Sequence, residues 1–334
     1  MRRSRGRWAP SPTGWLHVGN ARTALVAWLS VRAAGGTFAW RLEDLDPPRI
    51  VPGAAEAAME DLAWLGLDWD EGPDVGGPHV PYRQSERSEL YRHALEHLVT
   101  AGRLFPCRRS RKELTEIASA PHGPDGSPPY PKSLRPRGLA PDWFHKLEEP
   151  SHREPGASLR FLVRDSPVVF HDRVFGACTE RVDETVGDFV LRRRDGLWAY
   201  QLAVVVDDLA MGITEVVRGS DLLGSTARQI QLFEALNGVF GGGATPAWAH
   251  VPLVLNAEGE KLSKRDRGLT LRSLRTAGAR PETLVGWLGG SLGLLDAPEP
   301  CRAEELVPVF AWERIGREDW TLPPDFEGKL VDAR

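Results

Sequence analysis

Two short polar stretches hold the residue types from which chemistry can be built. "WAPSPTGWLHVGN", residues 8–20, is a stiff turn ahead of the first long apolar run, ending in His17, Gly19 and Asn20. "EKLSKRDRG", residues 260–268, places Lys261, Ser263 and Lys264 in a polar loop after the apolar "HVPLVLN". Two ammonium groups beside a hydroxyl can neutralise a triphosphate whose charge grows in the transition state. His17 and the amides that open the following helix offer donors from the other side, helped by the helix dipole. The common phosphate signatures are missing: there is no G-x-x-x-x-G-K-[ST], and no strand runs into G-x-G-x-x-G. Taken singly, the first stretch is a helix entrance and the second a solvated loop. Only the pair, on a suitable frame, specifies phosphate chemistry.

That frame is an α/β one. Residues 20–33 carry Ala21, Ala24, Leu25, Trp28 and Val31 at helical spacing, and Gly35 and Gly36 stop the helix. "TFAWRLEDLD" then reads as a buried strand running out into an acidic end, which makes a βαβ unit and hence a parallel sheet. Further helices are expected at 54–65, closed by Gly66, and at 86–101, with Ser85 as its cap and Gly102 as its end. Between 103 and 185 a Pro/Gly/Ser-rich stretch precedes "SLRFLVRD", "PVVFHDRVFG" and "CTERV", short strands expected to pair antiparallel. "DFVLRRRDGLWAY" predicts a hairpin turning at Asp195-Gly196. "QLAVVVDDLAMG" fits helix or strand, "ITEVVRG" fits a strand and 225–236 a helix. The division expected is 1–102 and 186–268 for the two halves of a nucleotide-binding domain, 103–185 for an α+β insertion, and 269–334 for a helical tail.

Composition narrows the class. The chain has 334 residues, 41% of them hydrophobic, enough for a substantial core in two or three domains. No apolar run reaches the ~18 residues of a membrane span. The basic start MRRSRGR leads into prolines, unlike a signal peptide. Cys107, Cys178 and Cys301 are odd in number and far apart, which speaks against a disulfide framework and for a reducing cytoplasm. With 42 basic and 46 acidic residues, the net charge of −4 neither demands nor forbids a polyanionic partner. Local clusters count for more: Arg108, Arg109, Arg111 and Lys112, and Arg192 to Arg194.

In this order on an α/β frame, "HVGN" and "KLSKR" resemble the paired HIGH and KMSKS signatures of class I aminoacyl-tRNA synthetases. "RWAPSPTGWLHVGNAR", "RLEDLDPPR", "YRQSER" and "LRRRDGLWAYQLAVVVDDLAMGITEVVRGSDLL" are similar to the glutamate-specific branch, and among it to the short glutamyl-queuosine tRNA(Asp) synthetases. The resemblance covers roughly residues 5–270. It implies a Rossmann-type class I synthetase fold with an inserted domain, a short helical C-terminal segment and no anticodon-binding domain. It further implies a cytoplasmic, monomeric ligase that uses ATP with Mg²⁺ to make glutamyl-adenylate without tRNA. Glutamate then passes to queuosine in the anticodon arm of tRNA(Asp), with the cluster around Arg108 gripping phosphates. Glutamate contacts are implied at Arg7, Trp8, Ala9, Pro10, Ser11, Glu43, Tyr200 and Arg218. ATP contacts are implied at His17, Gly19, Asn20 and Lys264, with Lys261 and Ser263 in the same loop.

The chemistry of glutamate agrees with that placement. Arg7 and Arg218 suit its side-chain carboxylate, because a guanidinium fork matches a carboxylate and stays charged. Glu43 suits the ammonium, Ser11 with the backbone of residues 8–10 can orient the amino acid, and Tyr200 can close the pocket. Asp207 and Asp208 stay open between helix capping and a role near the substrates. Many relatives hold zinc in the insertion through C-x-C, a tyrosine and a final cysteine. Here Cys107 and Tyr130 stand beside Arg109 and Leu134, His122 has no spacing to recommend it, and no zinc is expected. Rival readings are a truncated glutamyl-tRNA synthetase charging a 3′ end, a non-catalytic tRNA-binding paralogue, and a small-molecule nucleotidylyltransferase.

Overall fold

The computed structural model describes residues 3–110, 112–114, 129–140, 142–148, 156–241, 244–262 and 269–331. Ser263, Lys264, Arg111 and His122 lie outside them. The chain opens with β1 (Arg5–Trp8), α1 (Val18–Ala33) and β2 (Thr37–Trp40), and β1 and β2 pair in parallel as the βαβ unit requires. Gly35 ends α1 at φ +60°, a left-handed position that favours glycine.

Two helices follow, α2 (Ala54–Trp64) and α3 (Ser88–Thr100). Ser85 is not the cap of α3. It lies in a 3₁₀ turn, Gln84–Glu86, and its amide and hydroxyl donate to the Asp44 carboxylate at 2.8 and 2.7 Å. A non-local acceptor therefore claims the side chain that local sequence offers to the helix.

β3 (Leu104–Cys107), α4 (Trp143–Glu148), β4 (Ser158–Phe161), β5 (Val168–Asp172), β6 (Gly176–Glu180), α5 (Val182–Thr185) and β7 (Phe189–Arg192) come next. β3, β4 and β7 form one antiparallel sheet, in the order given. The β5–β6 hairpin is antiparallel within itself, yet β5 joins the parallel sheet through Asp172 opposite Trp248. The turn at Asp195-Gly196 forms as predicted, with Gly196 at φ +87° and the Arg193 amide donating to Leu197.

The ambiguous apolar run is a helix, α6 (Tyr200–Ala210), followed by β8 (Glu215–Gly219), α7 (Thr226–Ala235), β9 (Ala247–Val251) and β10 (Val254–Leu255). β8 and β9 pair in parallel from Glu215–Ala247 to Gly219–Val251. β1 lies beside β8, where the Thr214 amide donates to the Arg5 carbonyl at 2.9 Å. The tail supplies α8 (Leu271–Thr276), α9 (Pro281–Ser291) and α10 (Phe326–Val331), with a short strand, β11 (Trp320–Thr321), parallel to β10.

Helix α1 is central. It buries residues on every side, from Val18 through Val31, and shares a core with Leu284, Leu288, Leu306 and Phe326 of the tail. A helix enclosed this way needs no apolar stripe. Its buried Arg22 donates to the Pro252 carbonyl at 2.7 Å and to Ser291, tying α1 to the residue that follows β9 and to α9. Among the described residues, no helix is long and apolar enough to cross a membrane.

Candidate active site

The ends of β1, β2 and β8 and the starts of α1 and α6 border a cleft of about 1230 Å³. Arg7, His17, Glu43, Tyr200, Arg218 and Lys261 all line it. Residues separated by up to 254 positions thus line one hollow, Lys261 among them from the second polar stretch.

His17 is the N-cap of α1. Its Nδ1 accepts from the Gly19 amide at 3.1 Å, while its own amide donates to Asn20 Oδ1 at 3.0 Å, a reciprocal capping box. The amides of Asn20 and Ala21 donate to the His17 carbonyl. The opening amides are therefore turned onto His17 itself, which alters the expectation that Gly19 and Asn20 present donors to phosphate. With Nδ1 accepting, the neutral ring carries its proton on Nε2. Gly19 leaves room for the ring: a Cβ there would stand 3.0 Å from His17, and the imidazole would have to give by a few tenths of an ångström.

On the amino-acid side, β1 runs into residues 8–10 beside the end of β2. The Arg41 amide donates to the Trp8 carbonyl at 2.9 Å and the Glu43 amide to the Pro10 carbonyl at 3.0 Å. Those two carbonyls are committed to the fold, and Ala9 lies between them. Ser11 is exposed in the cleft.

Arg7 is buried and donates through Nε to both oxygens of Asp208, at 3.2 and 3.4 Å, and through Nη1 to the Val217 carbonyl. Its Nη2 has no partner among the described residues. Arg41, fully buried, bonds Asp208 at 2.6 Å and Glu43 at 3.1 Å and lies 3.6 Å from Asp207. Asp207 also accepts from Gln84, Arg87 and Tyr91. The two aspartates therefore cap nothing; they anchor the arginines and helix α3 around the cleft. Burial pushes the Glu43 carboxyl upward, opposed by Arg41 and Arg7. Burial works on Asp208 in the same sense, but Arg7 and Arg41 outweigh it and hold that carboxyl below its ordinary range.

Arg218 differs from the other two. Its five N–H groups meet only neutral acceptors: His250 Nε2 at 3.0 Å, Gln229 at 2.7 Å, Thr226 at 2.9 Å, the Leu222 carbonyl at 3.2 Å and the Tyr200 hydroxyl at 3.5 Å. No carboxylate of the described residues pairs with it. It does not offer the open fork expected from its residue type, since four of its bonds hold it in the wall. What it offers is an uncompensated charge and the one long contact, beside Tyr200. Burial disfavours that charge, and a carboxylate arriving there would restore it. Asp221, three positions on, pairs instead with Lys261 at 2.6 Å.

Sequence reading missed Arg41, His250, Gln229 and Thr226. Arg41 carries a signal, being a charge directly after the apolar run of β2; the others sit in ordinary helical and strand contexts.

The residues present do not fit a structural zinc. The Tyr130 hydroxyl donates to Cys107 Sγ at 3.6 Å and lies 3.4 Å from the Leu134 carbonyl. These side chains pack with Phe105, Leu114 and Leu162, while Arg109 is among the residues that line the cleft. Among the described residues, no group of three His, Cys, Asp or Glu is placed to hold a metal.

The fold matches that of a class I synthetase. The chain belongs to that family: residues 4–316 match the class I tRNA synthetases (E and Q), catalytic domain. It is 52% identical to the glutamyl-Q tRNA(Asp) synthetase of Symbiobacterium thermophilum over 96% of both chains. It is 44% identical to that of Nitratidesulfovibrio vulgaris over 98% of both. A crystal structure of a glutamate tRNA ligase from Elizabethkingia meningosepticum, in complex with its amino acid, matches with a TM-score of 0.82 at 31% identity. That match covers 98% of this chain and 68% of the other.

Proposed function

We propose that this protein activates L-glutamate with ATP, without needing tRNA, and transfers it to the queuosine of tRNA(Asp). The observation that carries the amino-acid half is Arg218, buried, charged and lacking a carboxylate beside a cleft that holds the His17 turn. The glutamate side-chain carboxylate sits against Arg218 and Tyr200 and takes a further bond from Arg7 Nη2. Glu43 receives the ammonium, and Ser11 and the Ala9 backbone orient the amino acid. The α-carboxylate is left to attack the α-phosphate of ATP, and pyrophosphate leaves. His17 donates from the head of α1, while Lys261, Ser263 and Lys264 meet the phosphates from the opposite loop; Mg²⁺ arrives with ATP. Charge neutralisation and positioning supply the catalysis. The transfer half is supported by the relatives of matching length that carry the name glutamyl-Q tRNA(Asp) synthetase. We place the protein in the cytoplasm as a monomer, in keeping with its three free cysteines.

One experiment tests both halves. Labelled glutamate and ATP are offered with tRNA(Asp) bearing queuosine or guanosine, the tRNA is cut, and the label is located. Label should follow the anticodon fragment of the queuosine form alone; label at the 3′ end makes the protein a glutamyl-tRNA synthetase instead. Pyrophosphate exchange should run with glutamate and no tRNA, and Lys264→Ala should slow it on the order of a hundredfold. Exchange that requires tRNA, or that ignores the substitution, would count against this assignment.

A further inference from the structure

Behind the carboxylate pocket lies a buried pair that the reaction does not touch. His250, on β9, and Asp172, at the end of β5, both have no exposed surface. Asp172 is fixed first: its Oδ1 accepts from the amides of Val174 and Phe175 at 3.0 and 2.9 Å, in the turn that leaves β5. Its Oδ2 lies 2.6 Å from His250 Nδ1. On the far side of the ring, Nε2 faces Arg218 Nε at 3.0 Å.

The proton positions follow from donor chemistry. A guanidinium only donates, so His250 Nε2 must accept. The ring proton is then on Nδ1, where the Asp172 carboxylate receives it. An imidazole with the opposite tautomer, or an imidazolium, would set N–H against N–H at Arg218. Thr226, 3.2 Å from Nε2, accepts from Arg218 Nη2 and adds no competing requirement. Tyr200, Gln229 and the Leu222 carbonyl complete the ring of groups around the guanidinium, all of them neutral.

We propose that Asp172 and His250 are positioning residues for substrate carboxylate recognition, locking one imidazole tautomer so that Arg218 is held by its Nε edge with its long Nη1 contact, beside Tyr200, at the cleft. The inference rests on the reading of this cleft as a glutamate pocket. It also explains why the β5–β6 hairpin joins the parallel sheet at Asp172 and Trp248: that single pairing brings a carboxylate from the insertion behind the pocket. The Trp248 ring covers the Arg218 guanidinium from one face at 5.1 Å, so the hairpin and its partner strand fix the arginine in two directions.

The test separates positioning from mere structure. Glutamate-dependent pyrophosphate exchange is measured for Asp172→Asn, His250→Leu and His250→Gln, with KM for glutamate, KM for ATP and kcat determined separately. In Asp172→Asn the amide favours the wrong tautomer, and KM for glutamate should rise about tenfold or more, with KM for ATP within about twofold. His250→Leu should behave alike. His250→Gln, whose Oε1 can replace Nε2 as acceptor, should recover most of the loss. A purely structural role would lower the active fraction, and so kcat, while leaving KM for glutamate alone; that outcome overturns the proposal. So does equal behaviour of the Gln and Leu variants, which decides the matter if Asp172→Asn does not fold. Independently of activity, ¹⁵N spectra of histidine-labelled wild type should show His250 protonated on Nδ1, its signal identified by loss in His250→Gln. Protonation on Nε2 refutes the dyad. Absence of any glutamate activation by the wild type would instead refute the function proposed above, leaving the tautomer measurement to judge the pair.

Discussion

At the scale of single residues, charge pairing sets both selectivity and pH response. Glutamine has nearly the shape of glutamate but no charge, so it would leave Arg218 buried without a counter-ion. The wild type should activate glutamine with kcat/KM lower by on the order of a thousandfold, and Arg218→Ala should lose glutamate activation in KM and in kcat; comparable use of the two amino acids would remove Arg218 from the pocket. Asp208 carries the second expectation. Its folded pKa lies below the unfolded value, because Arg7 and Arg41 outweigh the effect of burial. The folded state thus binds that proton more weakly, and the pair contributes its full stability above about pH 5 and loses it as pH falls through the folded pKa. Asp208→Asn should be less stable than wild type by about 3 kcal/mol at pH 7, with the gap narrowing below about pH 4. Urea titrations across that range measure it, and a constant gap would show that the ion pairs are not the source.

At the scale of elements, Cys107, Tyr130 and Leu134 pack against Phe105, Leu114 and Leu162 rather than around a metal-sized gap of ligands, and no zinc is expected there. Purified protein should contain well under one zinc per chain, and a chelator should leave its Tm unchanged. Leu134→Ala should cost about 1–2 kcal/mol, as a half-buried leucine beside Tyr130 and Cys107; a stoichiometric metal would show that other residues supply ligands. This is also the scale at which sequence informs unevenly. Helix α1, the Asp195-Gly196 turn and β8 are legible because their signals are local: spacing, a glycine stop, a turn dipeptide. Helix α6 is not, since a run buried on most of its surface has neither period. Ser85 misleads because Asp44, 41 positions away, takes its hydroxyl. The contacts among Arg41, Asp208, Asp172, His250 and Arg218 join three strands, a helix and the residue that follows β2. Their residue types suggest partners, but only the fold says which.

At the scale of the whole molecule, cations gather at the mouth of the cleft. Arg49, Arg109, Arg160, Arg193 and Arg194 come from the turn after β2, from the segment after β3, from β4 and from the hairpin turn after β7, and all line the cleft. Transfer to tRNA should therefore weaken with salt, with KM for tRNA rising about tenfold or more between 50 and 200 mM. Replacing Arg193 and Arg194 together by glutamate should reduce transfer by a similar factor; insensitivity to both would move the RNA elsewhere. The enclosure of α1 leads in another direction. With sheet on one side and tail on the other, and with Arg22 bonded to both, this helix has no local route to open. Its amides should exchange with deuterium only when the molecule unfolds as a whole, while the β3–β4–β7 wall exchanges sooner. One bank of the cleft is then a fixed anvil with His17 at its head, and any closing on the substrates is left to the opposite bank.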